Sequence, residues 1–187
     1  MENALSLANH FLIAMPSMQD PNFARTVTLI CEHNEHGAMG IVINRPTDLI
    51  VRDIVKQLEI EESDARALGV TVHVGGPVQS NRGFVVHEPL GEWESTLVVN
   101  ETLGVSTSRD IIVALAEDRG PKRFLLALGY AGWSPGQIEH ELKENAWLST
   151  PADMEIVFGL PAERRWEAAA RLVGVDLATI SSDAGHA

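Results

Sequence analysis

Apolar residues along this chain recur with two different periods. In the first half, short apolar runs end at turn-forming residues, which is how strands read. Residues 11–15 form such a run and stop at Pro16. Residues 26–31 are β-branched and partly alternating, and residues 40–44 follow after a turn at 34–37. That spacing predicts an antiparallel hairpin. Residues 70–74, 83–87 and 95–100 have the same strand character. Ile50, Val51, Ile54, Val55 and Leu58 instead recur at three and four, so they predict a helix with one apolar stripe.

The second half mixes the periods. Thr107 and Asp110 make a capping-box-like helix start ahead of Ile111, Ile112 and Leu115, and that helix stops by Gly120 and Pro121. Residues 123–129 are almost continuously apolar and predict a central strand. Ser134 is then expected to be an N-cap, Pro135 the first helical residue, and Gln137 the closing residue of the box. On that reading Ser134→Ala costs about 1 kcal/mol. Trp133 should pack on Ile138, with Leu142 and Ala146 on the same buried side. Residues 154–158 predict a last strand, and Pro161 opens a helix that runs through Trp166 to Gly174.

Strands first and helices interspersed later predict an α/β fold of α+β-like order. Its sheet should be mixed and largely antiparallel, of about six to eight strands with flanking helices. No linker divides the 187 residues, so one domain is expected over 1–187.

Charge narrows the partners. Twenty-six acidic residues against fourteen basic ones give a formal net charge of -12. Such a field opposes phosphate backbones and anionic lipid headgroups. Lys122-Arg123 and Arg164-Arg165 are the nearest things to a basic patch. No direct nucleic-acid binding and no membrane association are expected, and the partner should be a protein or a small molecule. The single cysteine, Cys31, excludes an intrachain disulfide framework and fits a reducing compartment. The N-terminus has no basic n-region and no apolar stretch reaches the roughly 18 residues of a membrane span, so a cytoplasmic location is expected.

Several segments in a fixed order resemble the YqgE/AlgH family. They are residues 11–16, Phe23 with Thr26-Val27, Glu32-His33, residues 37–44, residues 75–78 and residues 83–87. Residues 128–133, Gly136-Gln137, Glu141-Leu142, residues 145–148 and the terminal residues 185–187 continue the likeness. The resemblance covers essentially the whole chain. It implies a bacterial intracellular protein of unassigned molecular function with a mixed, partly barrel-like sheet, and some members of that family carry a transcriptional-regulator label. It brings no established biochemical activity and no catalytic residue set, so no catalytic residue is assigned.

The residues themselves offer three candidate chemistries. Glu32, His33, Glu35 and His36 carry metal-ligating groups, but they sit in a strand end and turn where they diverge, so no metal and no cofactor are expected. Cys31 and His33 should share a strand face, which would let the imidazole activate the thiol; the bland alternative is a buried core cysteine. Gly75, Gly76 and Pro77 end one strand, and Gly129, Gly132 and Trp133 another. These two loops, with Asn44 and His87 as polar contributors, are the candidate ligand-binding cleft. The leading expectation is a non-catalytic binding or regulatory module. The alternatives are a cleft enzyme using Cys31 or His87, a hydrolase or a thiol-dependent activity, and a transcriptional regulator, which the net charge disfavours.

Overall fold

The computed structural model describes residues 6–177. It starts with strands β1 (His10–Ala14), β2 (Val27–Asn34), β3 (Gly37–Val42) and β4 (Pro46–Ile50), then helix α1 (Val51–Gln57). A 3-10 turn at Arg66–Gly69 leads to β5 (Thr71–Val74), β6 (Val78–Glu88), β7 (Thr96–Val98) and β8 (Gly104–Ser106). Helix α2 (Arg109–Ala116), β9 (Arg123–Trp133), α3 (Gln137–Lys143), β10 (Trp147–Pro151), α4 (Met154–Phe158) and α5 (Ala162–Leu172) complete it.

The strands make one ten-stranded sheet, with a hydrogen-bonded path β10-β1-β2-β3-β9-β6-β8-β7 and β4 and β5 attached through β9. All pairings are antiparallel except β5 with β9. The sheet curls into a half-barrel. The expected α/β class and largely antiparallel sheet are therefore right, while the strand count exceeds six to eight. β4, β8 and β10 carry no apolar run of their own length: β8 spans three residues, and β10 includes Ser149, Thr150 and Pro151.

β9 is the central strand, bonded to β3, β5 and β6. Its near-continuous apolarity follows from burial on both faces. Leu125 and Ala127 point into the curl, where they meet Phe84 and Val86 of β6, Leu29 of β2 and Ile41 of β3. Leu126 points outward with Val85 to a second core under α1 and α2, built on Val51, Leu68, Ile111 and Leu115. A third core beneath α3 holds Leu12, Ile30, Trp133, Ile138 and Trp147. At the Arg123 end of β9 the curl is plugged by α4 and α5: Ile156, Val157, Ala169 and Ala170 pack into it. Arg123 pairs with Glu155 of α4 and lies over the Phe158 ring at 5.2 Å.

Three local expectations are corrected. Residues 154–158 are helical, because the Asp153 carboxylate caps the Glu155 N–H at 2.9 Å and so short a segment, four apolar residues and Glu155, has no period of its own. Ser134 is not an N-cap. Ser134-Pro135-Gly136-Gln137 is a turn closed by Gln137 N–H to Ser134 C=O at 3.0 Å, with Gly136 at φ 77°. Proline followed by a positive-φ glycine is what a type II turn demands, and it delays α3 to Gln137. Only the return half of the box forms: Gln137 Oε1 accepts the Ser134 N–H at 2.9 Å. The Ser134 hydroxyl makes no cap bond, so the 1 kcal/mol cost expected for its loss has no basis in the structure. The box at Thr107 and Asp110 is replaced by Ser108 as N-cap, and Asp110 accepts the Ser108 hydroxyl at 2.5 Å and the Glu94 N–H at 2.9 Å. The terminal residues 185–187 of the family likeness lie outside the described residues.

Candidate functional site

With α4 and α5 plugging one end of the curl, the other end stays open. At the 130–133 end of β9 lies a groove of about 750 Å³. Strand alternation builds its lining. Phe84 of β6 and Val105 of β8 form a buried floor, and Met39, Leu97 and Tyr130 are half-buried walls. Phe84 and Tyr130 meet edge to face at 5.5 Å between centroids. Polar groups rim this apolar surface: Glu32, His36, Gln79, Arg82, Ser95 and Thr107. The Arg82 guanidinium rides over the Phe84 ring at 5.8 Å and donates to Thr107 Oγ1 at 3.1 Å. The mouth of a barrel, with an apolar floor and few polar groups, is a common setting for small-molecule sites.

Of the residues expected from sequence, Gly132 and Trp133 reach this groove. Gly132 is exposed, and a Cβ there would touch only the Tyr130 ring, at 3.5 Å. Trp133 is anchored by its indole N–H to Glu141 Oε1 at 3.0 Å, and the same oxygen accepts the Trp147 indole at 2.9 Å. Phe23 packs on both rings.

The remaining expected residues are elsewhere. Gly75, Gly76 and Gly129 do face one another, but backbone to backbone with no space between. Gly75 N–H donates to Leu128 C=O at 2.7 Å, and any Cβ on Gly76 or Gly129 would collide with a neighbouring carbonyl. Pro77 is exposed beside this crossing and lines none of the cavities described here. Asn44 bridges the chain, accepting the Val27 N–H and donating to Arg25 C=O, each at 2.9 Å. His87 is fully buried on β6, where Nδ1 lies 3.0 Å from Pro89 C=O and Nε2 2.7 Å from Ser106 Oγ. Burial holds its pKa below the ordinary 6.5.

Cys31 and His33 do not share a face. In the β2–β3 register Ile30 pairs with Gly40 and Glu32 with Met39, so Cys31 is the extra residue of a β-bulge. The bulge shifts the alternation. Cys31 enters the core of the curl, and burial pushes its thiol up to about 12. His33 turns the opposite way, to α3: Nδ1 accepts the Leu7 N–H at 2.9 Å, which leaves Nε2 as the donor to Glu139 at 2.5 Å. Among the described residues no group of three or more His, Cys, Asp or Glu side chains gathers as a metal site.

Sequence reasoning missed Met39, Phe84, Leu97, Val105 and Tyr130 as lining residues. Alternation was legible in these strands, but which face remains uncovered depends on where α4 and α5 dock.

A ten-stranded half-barrel, plugged at one end by helices and open at the other, defines this α/β class. The chain belongs to the AlgH-like family, whose model matches residues 11–178. It is 57% identical to a UPF0301 protein of Thioalkalivibrio sulfidiphilus over 187 residues, all of both chains. It is 53% identical to a UPF0301 protein of Nitrosospira multiformis, covering 98% of this chain and 99% of that one. The solution structure of the AlgH protein from Pseudomonas aeruginosa superposes with a TM-score of 0.80 at 49% identity, covering both chains completely. A crystal structure of a Corynebacterium diphtheriae protein shares the fold, with a TM-score of 0.72 at 23% identity over 97% of this chain and 94% of that one.

Proposed function

We propose that this protein is a non-catalytic binding module of a regulatory kind, acting in the bacterial cytoplasm, whose open groove takes a small organic molecule. The observation that carries the proposal is the open groove. A closed core would bury Tyr130, Leu97 and Met39 fully; here they are half-buried walls over the Phe84 and Val105 floor and line about 750 Å³ of accessible space. That volume matches small-molecule sites, and covering such walls supplies the driving force for an apolar body. The rim carries both Glu32 and Arg82, which suits a ligand with polar groups at its ends. Cys31 and His87 supply no catalytic reading, because neither lines the groove.

Gly132→Leu tests this. A Cβ at this glycine would meet only the Tyr130 ring, at ordinary contact distance, so the larger side chain extends into the groove without strain on the backbone. Native mass spectrometry of the natively purified protein should show a retained small molecule that the variant loses while its melting temperature is unchanged. Identical spectra for the two proteins would count against the groove.

A further inference from the structure

We propose a second ligand site, for a small organic carboxylate with an apolar body, in the cavity between α1, α2 and β6. This cavity has a volume of about 540 Å³. Its inner wall is apolar: Ile54 and Leu58 come from the α1 segment, Ile112 from α2 and Leu128 from β9. Its mouth carries Arg82 and Arg109, with Asn81, Thr107 and Ser108 beside them. Among the described residues no aspartate or glutamate lines it.

That composition inverts the charge of the molecule. The chain as a whole has a net charge of -12, yet among the described residues the only formally charged groups lining this cavity are two guanidiniums. Clefts lined by one sign of charge concentrate the opposite ion. Among the described residues both arginines are bound only to neutral acceptors. Arg82 donates to Thr107 Oγ1 at 3.1 Å and to Gln79 Oε1 at 3.3 Å, and Arg109 donates to Leu58 C=O at 2.8 Å. Among the described residues neither has a carboxylate within ion-pair distance. Each guanidinium has five N–H donors in a fixed fork, so each keeps donors to offer, and a carboxylate accepts two in parallel.

The hydrogen bonds already made hold these forks in place, which lowers the ordering cost on binding. The apolar wall then selects among anions. An inorganic ion satisfies the guanidiniums and leaves Ile54, Ile112 and Leu128 wet; a carboxylate with a hydrocarbon body covers both. Arg82 and Thr107 also line the groove of the half-barrel, while the rest of the lining is separate, so occupancy of the two sites is distinguishable.

Octanoate, 1-octanol and inorganic phosphate are the probes, read by amide chemical shifts in the folded protein. Octanoate should bind saturably and shift Asn81, Gly83 and Leu128, with Met39 and Leu97 of the groove unmoved. 1-Octanol and phosphate should each bind at least about tenfold more weakly, since one lacks the charge-assisted pair and the other the apolar contact. Arg109→Gln should weaken octanoate by about tenfold. Asn81→Asp, at an exposed position with little folding risk, should weaken it similarly by placing a like charge in the mouth. Absence of saturable octanoate binding, equal binding of octanol or phosphate, shifts confined to Met39 and Leu97, or indifference to both substitutions would each overturn the assignment.

Discussion

Gly129 crosses Gly76 so closely that a Cβ on either residue would overlap the main chain of the opposing strand end. Gly129 sits at φ 78° and Gly76 at φ 156°, both in regions that side-chain-bearing residues seldom adopt. The crossing fixes β5 against β9, and so fixes how β9 continues to Trp133 at the groove.

Gly129→Ala should therefore cost on the order of 3 kcal/mol, from positive φ plus overlap with backbone that cannot swing aside. Urea denaturation measures it. A loss below about 1 kcal/mol would mean that the two segments part easily.

Glu141 should matter more than an ordinary helix carboxylate. Its Oε1 accepts the indole N–H of both Trp133 and Trp147, whose residues are 6% and 4% exposed. Glu141→Ala leaves both donors without a partner and should cost about 2–4 kcal/mol. Glu141→Gln keeps an acceptor oxygen and should recover at least half of that. If the two variants unfold at the same denaturant concentration, the shared oxygen is not what holds the indoles.

Cys31 should react slowly. It is 2% exposed, and burial raises its pKa from 9.0 to about 12, so almost no thiolate exists at neutral pH. Labelling with a thiol reagent should be at least about 100-fold slower in the folded protein than in urea. The raised pKa also sets a sign: the folded state holds its proton where the unfolded thiol loses it. Stability from this group is complete below pH 9.0 and declines as pH rises towards about 12. Equal labelling rates would reopen the nucleophile reading.

His73 should confer acid sensitivity. It is buried on β5, with Nε2 3.4 Å from Arg165, and burial followed by the Arg165 charge lowers its pKa from 6.5 to about 4. The folded state thus binds fewer protons than the unfolded chain below pH 6.5, and stability falls as pH drops towards about 4. His73→Gln should lose about 1–2 kcal/mol less than the native chain between about pH 7 and about pH 4.5. His87 shifts in the same direction, so the variant removes part of the slope and not all of it. Parallel pH profiles for the two proteins would rule out His73 as the source.

Specific DNA binding is not expected at about 150 mM salt, because the net field opposes it. Neither basic dipeptide makes a patch: Arg165 is buried against Ile43 and Leu160 carbonyls, and Arg123 is paired with Glu88 and Glu155. Retention of a particular fragment at tens of nanomolar or better, on the scale of about 10⁻⁸ M, would overturn this.

Most of the strands and helices were legible in residue patterns, because a strand that buries a face shows its period or its apolar run; the short or polar β4, β8 and β10 show neither. The β2–β3 hairpin, the α1 stripe and the central place of β9 were read in this way. The polar wrapping of the sheet was not legible. The four apolar residues and Glu155 at 154–158 suit a strand as well as a helix until Asp153 is seen to cap them. Ser134 and Gln137 satisfy a capping pattern and a turn pattern equally, and Gly136 at φ 77° selects the turn. One bulged residue in β2 reversed the pairing of Cys31 with His33, since side-chain direction depends on a count that an inserted residue shifts by one. The groove lay furthest out of reach. Phe84, Leu97, Val105 and Tyr130 come from four strands spread along the chain, and each alone reads as ordinary core. They line a site because α4 and α5 fill only one end of the curl, and helix docking is a balance of buried area over the whole fold that no local pattern encodes.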